Sequence, residues 1–127
     1  MAKTNRPTDA ELEILRVLWQ RGASTVRSVY DALSKTKTIG YTTVLKLMQI
    51  MADKGLVSRD EEERAHVYRA RMPKEQTQRQ MVRDLLRRAF NDSASQLVMQ
   101  ALASKKTSPE ELAEIRRLLD DYGRGEL

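Results

Sequence analysis

The sequence predicts a mainly α-helical protein with a small β-hairpin, followed by a second part that is wholly helical. Before residue 55, apolar residues recur at helical spacing in three short segments; the period then changes to alternation around a charged turn. Beyond Pro73 every apolar pattern again has the helical period. Three short helices followed by a hairpin is the order of a winged helix-turn-helix domain. We therefore expect this domain at residues 1–72 and a helical arm at residues 73–127.

The composition of the 127 residues excludes several classes of protein. Hydrophobic residues make up 40% and charged residues 32%, which suits a folded helical protein. No apolar stretch approaches the roughly 18–20 residues that a bilayer span needs, and the polar start is unlike a secretory signal. Without cysteine there is no disulfide and no thiolate metal site. We expect a cytoplasmic protein with no membrane insertion, no metal and no cofactor.

The first two helices are marked by their caps. Thr8 and Glu11 have the spacing of a capping box, and Gly22 supplies a stop. Either Ser24 or Thr25 can cap the second helix. The apolar stripes behind these caps are Leu12, Leu15 and Trp19 in the first helix and Val26, Val29, Tyr30 and Leu33 in the second.

The third helix, residues 41–54, has a polar outward face that suits the major groove of DNA. Gly55 ends this helix, and its inward stripe is Val44, Leu47, Met48 and Met51. Threonine, lysine and glutamine offer hydrogen-bond donors, acceptors and a methyl group, which are the groups that read base edges. The predicted base-reading residues are Thr42, Thr43, Lys46 and Gln49.

Basic and aromatic residues around this helix are candidates for phosphate contacts, which position a protein without reading sequence. They are Arg27, Tyr41, Lys54, Arg59 and Arg64. Two short strands, at 56–59 and 65–69, flank an acidic turn at 60–63 that would repel phosphates. We therefore expect Arg64, rather than the tip of the turn, to make the contact of this hairpin with DNA.

The charge distribution favours a protein that binds nucleic acid over an enzyme. Residues 1–72 carry 13 Lys and Arg against 9 Asp and Glu, so most of the net charge of +5 lies in the first part. His66 is the one histidine, and its place in an alternating strand indicates a hairpin side chain. With no phosphate-binding loop and no nucleophile motif, catalysis is the least supported class.

The helical arm presents apolar stripes that are too extensive for about 55 residues to bury alone. Ser93 and Ser108 are candidate caps, and Pro109 follows the second of them at the first helical position. We expect the stripes to form a homodimer interface. Its predicted residues are Met81, Leu85, Leu86, Phe90, Leu97, Val98, Leu102, Leu112, Ile115 and Leu119.

The order of several motifs resembles the penicillinase-repressor (BlaI/MecI/CopY) family. The resemblance is specific over about residues 7–70 and continues less sharply to the last helix. It is carried by residues 7–15, Leu18-Trp19, Thr25-Val26-Arg27, Val29-Tyr30, Ala32-Leu33, Tyr41-Thr42-Thr43-Val44, Asp53-Lys54-Gly55-Leu56 and Arg64-Ala65-His66-Val67-Tyr68.

This resemblance implies a homodimeric repressor that binds double-stranded DNA at a palindromic operator, with Thr42, Thr43 and Lys46 facing the bases. It also implies, for some members, a membrane metallopeptidase sensor that triggers cleavage of the arm. The chain departs from the family in carrying Ile50 where many relatives have Arg. The scissile Asn-Phe pair of some members would fall near Gln100-Ala101, so the usual cleavage site is absent here. Two alternatives are a winged helix used for protein–protein contact and a regulator that responds to a small ligand.

Overall fold

The computed structural model describes residues 6–61 and 64–125. The architecture is mainly helical with a small antiparallel sheet, which confirms the predicted fold class. The chain divides into two compact units, the first extending to Val82 and the second beginning at Arg83. The elements are, in chain order, α1 (Asp9–Arg21), β1 (Ser24–Thr25), α2 (Val26–Ser34), α3 (Tyr41–Lys54), β2 (Val57–Asp60), β3 (Val67–Ala70), α4 (Lys74–Ala89), α5 (Ala94–Ser104) and α6 (Pro109–Gly123).

Side-chain caps fix where α1 and α2 begin. The Thr8 hydroxyl accepts from the Glu11 N–H at 3.2 Å, and the Glu11 carboxylate accepts from the Thr8 N–H at 2.9 Å, so the predicted capping box is present. For α2 the sequence left two candidates. Thr25 is the cap, since its hydroxyl accepts from the Ser28 N–H at 3.1 Å, whereas the Ser24 hydroxyl donates to the Gly22 carbonyl at 2.9 Å.

The core of the first unit lies where α1, α2, α3 and the sheet meet. In α1 the buried stripe is centred on Ile14 and Leu18, while the predicted inward residues Leu12 and Trp19 are only partly buried at its flank. The Trp19 indole N–H instead donates to the Met72 carbonyl at 2.9 Å. The buried apolar residues are Ile14, Leu15, Leu18, Val26, Val29, Leu33, Val44, Met48, Met51, Leu56, Val57 and Tyr68.

The sheet has three strands in the order β1-β3-β2, with both pairs antiparallel. The sequence predicted β2 and β3 as a hairpin but not β1, because a two-residue strand carries no alternation. Ser24 of β1 and Arg59 of β2 lie opposite Tyr68 on its two sides. Tyr68 is itself only 1% exposed, so it anchors the hairpin in the core.

The orientation of α3 is set by its buried side and its ends. Val44, Met48 and Met51 are fully buried, and Leu47 of the predicted stripe is partly buried. Gly55 ends the helix with φ of 82°, the left-handed conformation that glycine adopts without steric cost. The predicted bounds of the third helix are confirmed.

In the second unit, α5 and α6 begin at predicted caps. The Ser93 hydroxyl accepts from the Gln96 N–H at 3.2 Å, and the Ser108 hydroxyl accepts from the Glu111 N–H at 3.1 Å. Pro109 stands at the start of α6, where its missing N–H costs no hydrogen bond. No residue of α5 or α6 is buried within the single chain.

None of the helices within residues 6–61 and 64–125 combines the length and the apolar character that a membrane span requires.

Candidate nucleic-acid interface

The outward side of α3 is a continuous exposed strip. Thr42, Thr43, Lys46 and Gln49 are all exposed. At about 100° per residue, these positions fall within roughly one third of the helix circumference, opposite the buried residues. The helix therefore presents hydroxyl, ammonium and amide groups together on one side. Whether they read bases remains a prediction.

Arg27 of α2 lies against two tyrosine rings, that of Tyr30 in the same helix and that of Tyr41 at the start of α3. Its guanidinium carbon lies 5.8 Å from the ring centre of Tyr30 and 5.2 Å from that of Tyr41. The two rings meet edge to face, with centres 5.7 Å apart. Cation–π attraction to both rings restricts the guanidinium, although the Arg27 side chain is exposed. A cation is thus positioned beside the first turn of α3 before any ligand binds.

Arg59 projects from β2 and has partners on both sides. The hydrogen bond with the Tyr68 hydroxyl, followed by the hydrogen bond and charge of Glu61, raises the pKa of its guanidinium above the ordinary value. The Glu61 carboxylate lies 3.1 Å from the Arg59 Nη2. Glu61 therefore offsets part of the positive charge at the base of the hairpin turn. The rest of the acidic tip, Glu62 and Glu63, lies outside the described residues.

A groove of about 280 Å³ separates α3 from the hairpin and brings several predicted residues together. Three arginines and no carboxylate are among its described lining, so the groove is positive, although Glu61 pairs with one of the three, Arg59. This charge favours a phosphate group. The lining residues are Thr25, Val26, Arg27, Tyr41, Leu45, Gln49, Arg59, Arg64, Ala65, His66 and Tyr68.

Lys54, also predicted as a phosphate contact, is the last residue of α3, and its partly buried ammonium binds groups of the protein itself. Its ammonium donates to the Glu11 carboxylate at 2.7 Å and to the Arg6 carbonyl at 3.1 Å. Burial alone would raise the pKa of Glu11, but hydrogen bonds from Lys54 and Thr8 and the charge of Lys54 lower it below the ordinary value. The ammonium of Lys54 thus ties the end of α3 to the start of α1.

Sequence reasoning missed two residues of this surface. Tyr30 was assigned to the apolar stripe of α2, yet its ring also faces Arg27. Glu61 was grouped with the acidic turn at 60–63, yet it pairs with Arg59. The helical spacing of Arg27 and Tyr30, three residues apart, could have indicated the first contact. Nothing in the sequence distinguishes Glu61 from its acidic neighbours.

The family assignment rests on three comparisons. The penicillinase repressor family model matches residues 7–121. The chain belongs to the penicillinase-repressor family. The penicillinase repressor of Bacillus licheniformis is 26% identical over 122 residues, covering 96% of this chain and 95% of that protein. The transcriptional regulator BlaI of Mycobacterium tuberculosis is 32% identical over 126 residues, covering 98% of this chain and 91% of that protein.

The fold of this chain is also similar to that of a solved structure from the family. The solution structure of the DNA binding domain of the repressor BlaI matches with a TM-score of 0.51 and 30% sequence identity. The match covers 58% of this chain and 90% of that domain. The suspected family resemblance is therefore confirmed, and the chain is a BlaI-family transcriptional repressor by descent. Its named relatives are regulators rather than enzymes.

Proposed function

We propose that this repressor binds double-stranded DNA as a homodimer, at a palindromic operator, and reads the operator through α3. The observation that carries the proposal is the exposed strip of Thr42, Thr43, Lys46 and Gln49 beside a groove lined by three arginines. The major groove admits an α-helix, and the polar groups of this strip match the donors and acceptors there. Arg27, Tyr41, Arg59 and Arg64 would then hold the phosphates on either side.

The homodimer is supported by the exposure of apolar residues beyond residue 80. Met81, Leu85, Val98, Leu102 and Leu119 are each at least 38% exposed in the single chain. Exposed apolar surface of this extent, on α4 and on the helices α5 and α6 that bury no residue of their own, favours a partner surface of the same kind. A dimer with a two-fold axis would bind a palindrome, because the symmetry of the operator mirrors that of the protein.

The proposed setting is the cytoplasm, with a membrane metallopeptidase as the upstream sensor that ends repression. The bond between Gln100 and Ala101 lies inside α5, and both residues are exposed in the single chain. A protease needs an extended backbone, so α5 would have to open locally before cleavage. Intact mass measured in the native host, with and without a β-lactam, tests this step. A full-length protein during derepression would contradict it.

The operator proposal is tested by selection from a random double-stranded library, followed by titration of variants. Thr43→Ala and Lys46→Ala should change the preferred bases, at about 1–3 kcal/mol per good contact. Arg64→Ala should weaken all sequences about equally and lower the salt slope by about one unit. If Arg64→Ala alters base preference while the two α3 variants do not, the reading surface is wrongly placed. An absence of salt-dependent DNA binding would favour the protein-contact alternative.

A further inference from the structure

Ile50 is an apolar side chain on the polar strip of α3. It is 38% exposed in the single chain. Among the described residues that precede α4, the other exposed large hydrophobic side chain is Tyr41, which packs against Tyr30. The residues of α3 in the core or packed against it are Val44, Leu45, Leu47, Met48, Met51 and Ala52, and Ile50 is not among them.

The position of Ile50 places it with the predicted base-reading residues. It follows Lys46 by four residues and Thr43 by seven, which puts all three within about 60° around the helix axis. The side chains of Lys46 and Ile50 are neighbours on the helix surface, because residues four apart lie about 5–6 Å from each other. Any surface that receives Thr43 and Lys46 therefore also receives Ile50.

The major groove offers one apolar group to such a side chain, the C5-methyl group of thymine. An isoleucine placed against the N7 acceptor of a purine, or against the amino group of cytosine, would remove water without replacing its hydrogen bond. Against thymine it would bury one methyl group. A β-branched side chain in a helix has one strongly preferred rotamer, so little side-chain freedom is lost on contact.

We propose that Ile50 is a specificity-determining residue that selects a thymine by contact with its 5-methyl group. The inference rests on the proposed binding of DNA through α3. Thr43 and Ile50 are separated by about 10.5 Å along the helix axis, and bases of one strand by about 3.4 Å. The thymine read by Ile50 therefore lies about three base steps from the base read by Thr43.

The test removes the methyl group from DNA and its partner from the protein. Each thymine of the selected operator is replaced in turn by deoxyuridine, which lacks only the 5-methyl group, and Kd is measured for the wild type and Ile50→Ala. We expect about a fourfold loss of wild-type affinity at one thymine of each half-site, the change that follows from exposing one methyl group. Ile50→Ala should bind thymine and deoxyuridine equally there.

Thr43→Ser is the matched control, because it removes a methyl group from the same strip and keeps the hydroxyl. It should leave the Ile50-dependent effect unchanged. If every deoxyuridine effect persists in Ile50→Ala, the inference is overturned while the proposed function stands; a selection that enriches no sequence overturns both. Thermal unfolding shows whether each variant is folded. If Ile50→Ala is not folded, Ile50→Val replaces it, and the loss of affinity on deoxyuridine substitution should then be smaller than in the wild type.

Discussion

The carboxylate of Glu11 makes two separate stabilising interactions. It closes the capping box with Thr8 and accepts the ammonium of Lys54 at 2.7 Å, while only 3% exposed. Its sequence spacing predicted the cap, because a capping box is local. The ion pair was not predictable, since Lys54 is 43 residues away and reaches Glu11 only after α1 and α3 pack together.

We predict that Glu11→Gln lowers the free energy of unfolding by about 2 kcal/mol at neutral pH, the range of a hydrogen bond to a charged group. The pKa of Glu11 is lowered by folding, so its charge stabilises the protein above the ordinary carboxyl pKa of 4.5. That contribution is lost as the pH falls through the lower pKa of the folded state. Urea unfolding of both proteins at pH 7 and pH 3 should show the difference shrinking in acid.

Glu13→Gln is the control for this measurement. Its partner is Lys37, and both side chains of that pair are more than a third exposed, so the change should cost well below ~1 kcal/mol. An equal difference between wild type and Glu11→Gln at the two pH values would contradict the assignment to charge.

The elements with strong periodic patterns were the ones that the sequence located best. The third helix was predicted at 41–54 and is found there, because its apolar stripe and its terminal Gly55 agree. In α1 the predicted stripe was Leu12, Leu15 and Trp19; Leu15 is buried as predicted, but Ile14 and Leu18 share the core with it and Leu12 and Trp19 lie at its flank. Both sets have helical spacing, so only packing against α2, α3 and β3 decides between them. The strand β1 was missed because its two residues are defined by pairing with β3.

The contact between α2 and α3 leads to a prediction at the level of elements. Tyr30 of α2 and Tyr41 of α3 both contact the exposed guanidinium of Arg27, so the two helices together position one cation. We expect Tyr30→Leu to weaken DNA binding by about two- to fivefold, which corresponds to the loss of one exposed cation–π contact. The loss should be similar for all DNA sequences, because a phosphate contact carries no base information.

Tyr30→Phe keeps the ring and should bind DNA like the wild type. Fluorescence anisotropy with the selected operator and with a scrambled duplex measures both variants. Equal losses for Tyr30→Phe and Tyr30→Leu would show that the hydroxyl, rather than the ring over Arg27, is responsible. A normal melting temperature for Tyr30→Leu separates this effect from damage to the core.

At the scale of the whole molecule, the two compact units differ in how far they bury their apolar residues. The first unit buries a complete apolar core and leaves polar and cationic groups at its surface. The second unit leaves apolar groups exposed, among them Leu118, Leu119 and Tyr122 at 42%, 61% and 69%. The sequence pattern predicted Leu119 as an apolar residue of the last helix, but not Leu118. It could not say what covers these exposed apolar residues, because a partner chain leaves no separate mark on the periodicity.

This difference gives a direct test of the homodimer. Leu119 is 61% exposed in the single chain, so Leu119→Lys should cost little in a monomer but should place a charge against apolar surface in a dimer. Ala113→Lys is the control, since Ala113 is also exposed on α6 but lies about 160° around the helix from the centre of the apolar stripe. Light scattering should find the wild type and Ala113→Lys dimeric and Leu119→Lys dissociated at micromolar concentration.

Operator binding should follow the state of assembly. Two linked reading heads bind a palindrome with a high effective concentration, so loss of the dimer should weaken binding by about 10²–10⁴-fold. On a single half-site the same variant should bind like the wild type, because α3 and its basic groove are unchanged. A Leu119→Lys protein that stays dimeric, or a monomeric wild type with the same affinity for the full palindrome, would show that these apolar faces serve another partner.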